Sequence, residues 1–232
     1  MSVISNPILG LLLLSGVFAT WSYGIFMAPT EFYQGEVYRI LYLHVPCAFS
    51  AFLSALVLCL CSLRVLLQKN AAGMSLWTAR ACAEVGLIYT LLTLFTGSIW
   101  GYPTWGVWWT WDARLTTTLI LAFLYGCYLL LWNTLDSYPL RAKVCSVFGI
   151  LIFLDVPIIY KSVTWWRTLH QPPSLLSPSA PMSSEILYPL VASIIIMLGF
   201  AAWLILLRSQ NIRTHNEIEE ALCRTAHGGT LS

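Results

Sequence analysis

The sequence predicts an all-α, polytopic integral membrane protein of six transmembrane helices, with both termini on the inner side. Three observations predict it. Of 232 residues, 58% are hydrophobic and 9% charged, against roughly 25% charged in soluble domains. Six apolar runs approach or exceed the ~20 residues that cross a bilayer as a helix. Lysine and arginine are also distributed unevenly between the links that join these runs. The mean hydropathy of +0.75 agrees with this class, and a net charge of +2 gives no basis for a nucleic-acid surface. The links are too short to fold separately, so 1–232 reads as a single six-helix transmembrane domain.

The first run, about 8–27, follows a segment without Lys or Arg. It is as long as a full span, so it reads as a retained helix rather than a cleaved signal. The second run, about 40–63, carries His44 and Pro46 near its start. The third spans about 81–100 and the fourth about 115–135. The fifth, about 145–160, is short, and its helix is expected to begin inside the preceding polar link. The sixth, about 186–207, leads into a polar tail. With the N-terminus inside, the inner segments hold Arg64, Lys69, Arg80, Arg141, Lys143, Arg208, Arg213 and Arg224. The outer segments hold Arg39, Arg114, Lys161 and Arg167. That excess satisfies the positive-inside rule. It turns the links at 101–114 and 161–185 outward.

Cysteine chemistry is excluded mainly by spacing. Cys47, Cys59, Cys61, Cys82, Cys127 and Cys145 lie in or beside apolar runs, and Cys223 lies in the tail. Without a Cys-x-x-Cys pair, dithiol exchange and covalent haem attachment have no obvious residues. Nearly all seven read as small buried hydrophobes. A phosphate-binding G-x-x-x-x-G-K-[ST] loop is also missing, so any ATP-driven step belongs to a partner. The chain is not read as an enzyme.

The stretch WGVWWTWDARLT (105–116) places Trp105, Trp108, Trp109 and Trp111 within seven positions, followed by Asp112 and Arg114. Clustered indoles form an amphipathic surface with N–H donors at its edge. Such a surface suits a large planar ligand with charged substituents, and haem fits that description.

His44 interrupts ILYLHVPCAF about 6 Å below the outer helix end. An ionisable group at that depth is a functional candidate; the alternative is a histidine bonded to a neighbouring helix. Pro46 removes a backbone donor and is expected to loosen the first turn. His170 lies in SVTWWRTLHQPP, just beyond the fifth run, where Trp165 and Trp166 also fit an interfacial belt. It reads as a ligand or as an ordinary loop histidine. His215 and His227 read as solvated tail residues. Arg114 either meets a ligand carboxylate through paired hydrogen bonds or closes the loop against Asp112. Lys161 and Arg167 equally suit lipid headgroups. Glu84 is expected to meet another helix. Prolines and serines between Pro172 and Ser183 mark an irregular link suited to partner docking.

Trp105, Gly106, Trp109, Trp111, Asp112, Arg114, Leu115 and Thr116 together resemble the WWD signature of haem-handling proteins of cytochrome c biogenesis. LYLHVP (41–46) and VTWWRTLHQP (163–172) resemble the histidine-bearing segments of one branch, the CcmC family (haem exporter protein C). The resemblance covers about residues 40–172. It implies that His44 and His170 are axial ligands of haem iron, one on each face of haem b carried as cargo. It further implies a platform of Trp105, Gly106, Trp108, Trp109, Trp111 and Asp112, with Arg114 on a propionate. Among the indoles, Trp109 and Trp111 carry the motif most directly. Asp112 or Asp155 would orient a ligand histidine.

The implied function is to hold haem at the outer face and deliver it to a CcmE-like chaperone. CcmA-like and CcmB-like subunits of an ABC-type complex and a small CcmD-like membrane protein would work beside it. The implied place is a bacterial inner membrane, with the haem site on the periplasmic side, or the mitochondrial inner membrane. Three alternatives stay open at this point: a CcsA- or CcmF-like synthase component, an integral b-type cytochrome, and a transporter whose tryptophans only anchor it.

Overall fold

The structure, a computed structural model, describes residues 6–68, 72–170 and 182–228. Six α-helices dominate the described residues: α1 (Pro7–Phe26), α2 (Leu41–Leu67), α3 (Ala72–Trp105), α4 (Ala113–Thr134), α5 (Tyr138–Trp165) and α6 (Ser184–Gly228). A short 3-10 helix, Glu36–Ile40, leads into α2. All six helices are long and apolar enough to cross a membrane, so the expected all-α polytopic class holds.

The helices extend beyond the apolar runs. α3 begins at Ala72 rather than near 81. α5 begins at Tyr138, inside the polar link as expected, and continues to Trp165. Hydropathy marks the depth of the hydrocarbon, whereas helix length follows backbone hydrogen bonding. Arg80 and Arg141 can therefore lie within helices. Both guanidiniums stand 5.3 Å from the ring centroid of Trp132, at the end of the bundle opposite His44. The polar tail is likewise the continuation of α6, where Arg213–Glu217 (2.6 Å) and His215–Glu219 (3.5 Å) pair one turn apart.

Helix α2 is the hub: it packs against α3, α5 and α6, while α4 lies against α3 and α5 and α1 against α6. Its buried face is built from small residues, including Cys47, Ser50, Ala51, Ser54, Ala55, Cys59 and Ser62. Small side chains let membrane helices approach closely, which increases dispersion contact where no hydrophobic force acts between them. Ser50 and Ser54 return their protons to the carbonyls of Pro46 and Ser50, each at 2.9 Å. Tyr125 of α4 donates to the Ala51 carbonyl at 3.0 Å. Cys47, Cys59, Cys82 and Cys145 are buried, whereas Cys127 is exposed on α4.

Pro46 does not loosen the first turn, because α2 runs through it unbroken. Proline cannot donate to the carbonyl four residues before it, which here belongs to Tyr42. The Ser193 hydroxyl of α6 donates to that carbonyl at 3.0 Å instead. Glu84 meets another helix as expected: Arg208 of α6 pairs with it through Nε, and Nη2 donates at 3.1 Å. Arg80 pairs with the same carboxylate at 3.2 Å.

Candidate haem site

The link between α3 and α4 is shorter than the expected 101–114, since Gly101–Trp105 are helical and Ala113 already begins α4. Two residues set its bounds. Gly106 turns the chain out of α3 with a φ of 78°, a left-handed conformation that favours glycine. Its amide donates to the Tyr102 carbonyl at 2.8 Å. At the other side Asp112 is the N-cap of α4, accepting from the Arg114 amide at 2.9 Å and the Leu115 amide at 3.5 Å. Similarly, residues 161–165 of the second link belong to α5. Pro172, Pro173, Ser174, Ser177 and Ser179 lie outside the described residues.

Asp112 also collects the segment after α5. Its Oδ2 accepts from the Leu169 amide at 2.8 Å and from the Thr168 hydroxyl, while the His170 amide donates to Thr168 Oγ1 at 3.1 Å. His170 Nδ1 consequently stands 3.3 Å from Asp112 Oδ1. The two atoms do not form a hydrogen bond of good geometry, so the contact is electrostatic. Burial opposes charge on Asp112, but the bonds from Thr168, Leu169 and Arg114 outweigh it and hold the carboxyl below its usual range. Burial, followed by the positive charge of Arg114, lowers the His170 pKa to about 4 despite the nearby carboxylate. The imidazole is therefore neutral at ordinary pH, the form that binds metal.

His44, in the first turn of α2, meets α3. Its Nδ1 lies 3.0 Å from Thr96 Oγ1, and Trp100 stands edge-on to the ring at 5.7 Å. Trp100 in turn donates to Gln34 at 2.7 Å, joining the link before α2 to the same end. His44, His170 and Arg114 lie within electrostatic range of one another. Arg114 makes no ion pair with Asp112, and its Nε is buried without a partner. A loop-closing Asp112–Arg114 bridge is thus not formed.

The indoles divide into three groups. Trp105 packs against the His170 ring at 4.9 Å. Trp108 stacks on Tyr102 at 4.5 Å. Trp109 and Trp111 pack edge to face at 5.7 Å, and Trp111 is 76% exposed. Each histidine has its Nδ1 side turned toward a protein partner, which leaves the other nitrogen for a ligand. Arg114, half-buried and without an ion pair among the described residues, stands between them in sequence, and the exposed Trp108 and Trp111 precede it in the chain. Among the described residues no cluster of three His, Cys, Asp or Glu could hold a bare metal ion. Two imidazoles suit a metal that brings an equatorial ligand set with it, as haem does.

The family model described as "Heme exporter protein C" (CcmC) matches residues 2–224. The chain belongs to this family. Heme exporter protein C of Escherichia coli K12 is 37% identical over 193 residues, covering 83% of this chain and 77% of that protein. The Haemophilus influenzae protein of the same name is 37% identical over 205 residues, covering 85% and 79%. A "putative cytochrome c biosynthesis ccmC-like mitochondrial protein" of Marchantia polymorpha is 39% identical over 166 residues, covering 72% and 69%. The resemblance read from the tryptophan segment and the two histidine segments therefore names the right family.

In this CcmC-family chain, His44, His170, Trp105, Asp112 and Arg114 gather at one end of the bundle. Trp108, Trp109 and Trp111 occupy the adjoining link. Asp155 is buried on α5 with Oδ2 unpartnered and does not serve either histidine; Asp112 is the residue beside His170. Lys161 lies over Tyr160 at 6.0 Å, and Arg167 is exposed. Thr96, Trp100, Thr168 and Gln34 were not singled out from sequence. Thr96 and Trp100 do share a helical face at i and i+4, but nothing local relates that face to His44.

Proposed function

We propose that this chain is a haem-handling membrane subunit of cytochrome c maturation. It holds haem b as cargo between His44 and His170 at the outer membrane face and passes it to a CcmE-like chaperone. The observation that carries this reading is that two imidazoles remote in sequence come to the same end of the bundle, each with Nδ1 beside a protein side chain, together with a half-buried Arg114 whose Nε has no hydrogen-bond partner. The names of the relatives, haem exporter and cytochrome c biosynthesis protein, support the same ligand and pathway. Trp105, Gly106, Trp108, Trp109, Trp111 and Asp112 form the platform, and Arg114 pairs with a propionate. Bound haem supplies an iron with two open axial positions; the chain itself contributes ligands, an apolar shelf and a cation.

The protein acts as a carrier rather than a catalyst, and as one transmembrane unit. CcmA-like, CcmB-like and CcmD-like subunits accompany it in a bacterial inner membrane, with the site periplasmic, or in the mitochondrial inner membrane. Absorption spectra of the detergent-solubilised chain test the reading. His44→Ala and His170→Ala each should lose bound haem, and parental haem content in either removes that residue as a ligand. Arg114→Lys keeps a positive charge but not the planar fork. It should weaken haem retention while leaving thermal unfolding unchanged; a lowered melting temperature would assign Arg114 to the fold instead.

A further inference from the structure

We propose that Thr96 is a positioning residue that fixes His44 in the tautomer whose Nε2 can bind iron. The proposal rests on the reading of His44 as an axial ligand. A threonine hydroxyl has one proton, and the Leu92 carbonyl, 2.7 Å from Thr96 Oγ1, can only accept it. The oxygen then offers a lone pair toward His44 Nδ1 at 3.0 Å. A hydrogen bond there requires the ring proton to sit on Nδ1. A neutral imidazole carries only one N–H, so Nε2 is left with its lone pair. A histidine oriented in this way by an outer partner is the usual arrangement of a metal-binding imidazole.

Two more residues of α3 shape the same slot. At Gly97 an added Cβ would lie 3.1 Å from His44 Cε1 and 3.6 Å from Nδ1, so the ring rests almost against the helix backbone. Trp100 stands at the ring's edge, at an interplanar angle of 82°, and is itself held by Gln34. Hydroxyl, missing side chain and indole together fix the ring's position, orientation and tautomer before any ligand arrives.

The test compares Thr96→Val, Thr96→Ser, Gly97→Ala and His44→Ala in the full-length protein, by haem titration and by the electron paramagnetic resonance of the ferric complex. Thr96→Val keeps the shape of threonine without its hydroxyl. It should bind haem about 10-fold more weakly and convert part of the low-spin signal to high-spin, and Thr96→Ser should restore both. Gly97→Ala, which leaves the hydroxyl intact, should give a similar loss by displacing the ring. Parental affinity and spectrum in Thr96→Val, with haem lost in His44→Ala, overturns the role of Thr96 while sparing the ligand assignment. Parental haem binding in His44→Ala overturns both.

Discussion

One carboxylate decides the geometry of the second histidine. Asp112 caps α4 with one oxygen and holds Thr168 and Leu169 with the other. Its loss should therefore have two effects. Asp112→Ala should cost about 1 kcal/mol as a lost helix cap and should release the segment that carries His170. Cleavage by trypsin after Arg167 ought to accelerate, and haem retention to fall with it. Asp112→Asn retains a single acceptor oxygen, so it can serve the cap or the segment but not both; its cleavage rate should lie between. Equal cleavage in all three proteins would mean that something else holds residues 168–170. The sequence marks Asp112 as a site residue, yet its link to Thr168 spans 56 positions. No local pattern encodes such a pairing.

Between helices, the recurring theme is repair of backbone groups that a spanning segment cannot leave bare. Pro46 frees the Tyr42 carbonyl, and Ser193 reaches across from α6 to cover it. Ser193→Ala should destabilise the bundle by about 1 kcal/mol, in the range of interhelical hydrogen bonds in membranes. In a Pro46→Ala background the helix supplies its own donor, so the same change should cost much less. Denaturation of the four proteins in a double-mutant cycle measures this coupling. Equal costs in both backgrounds would show that Ser193 does not compensate for the proline. Helix existence was legible from the apolar runs, but helix ends were not. Arg80, Arg141 and the tail after Arg208 lie in helices whose hydrogen bonding continues beyond the apolar window.

Across the molecule, the up-and-down path of the chain brings the start of α2, both ends of the α3–α4 link and the segment after α5 to one end. The arginines around Trp132 and the long extension of α6 lie at the other. If the histidine end faces outward, Trp108→Cys should react with a membrane-impermeant thiol reagent added to intact cells. His215→Cys should react only after permeabilisation. Both variants belong in a background with the native cysteines replaced, and the opposite labelling pattern would invert the proposed topology.

By itself the sequence determined the class, the six spans and the family, because each follows from local composition or from contiguous motifs. Transfer of apolar side chains into lipid is a property of each segment alone. The tertiary structure decided which nitrogen of His44 meets Thr96, why Asp112 rather than Asp155 stands beside His170, and that Arg114 forms no ion pair with Asp112. Those outcomes depend on how neighbouring helices are rotated and offset against one another. A rotation of one residue on α3 turns its side chains by about 100° and would replace the hydroxyl beside His44 with a different neighbour.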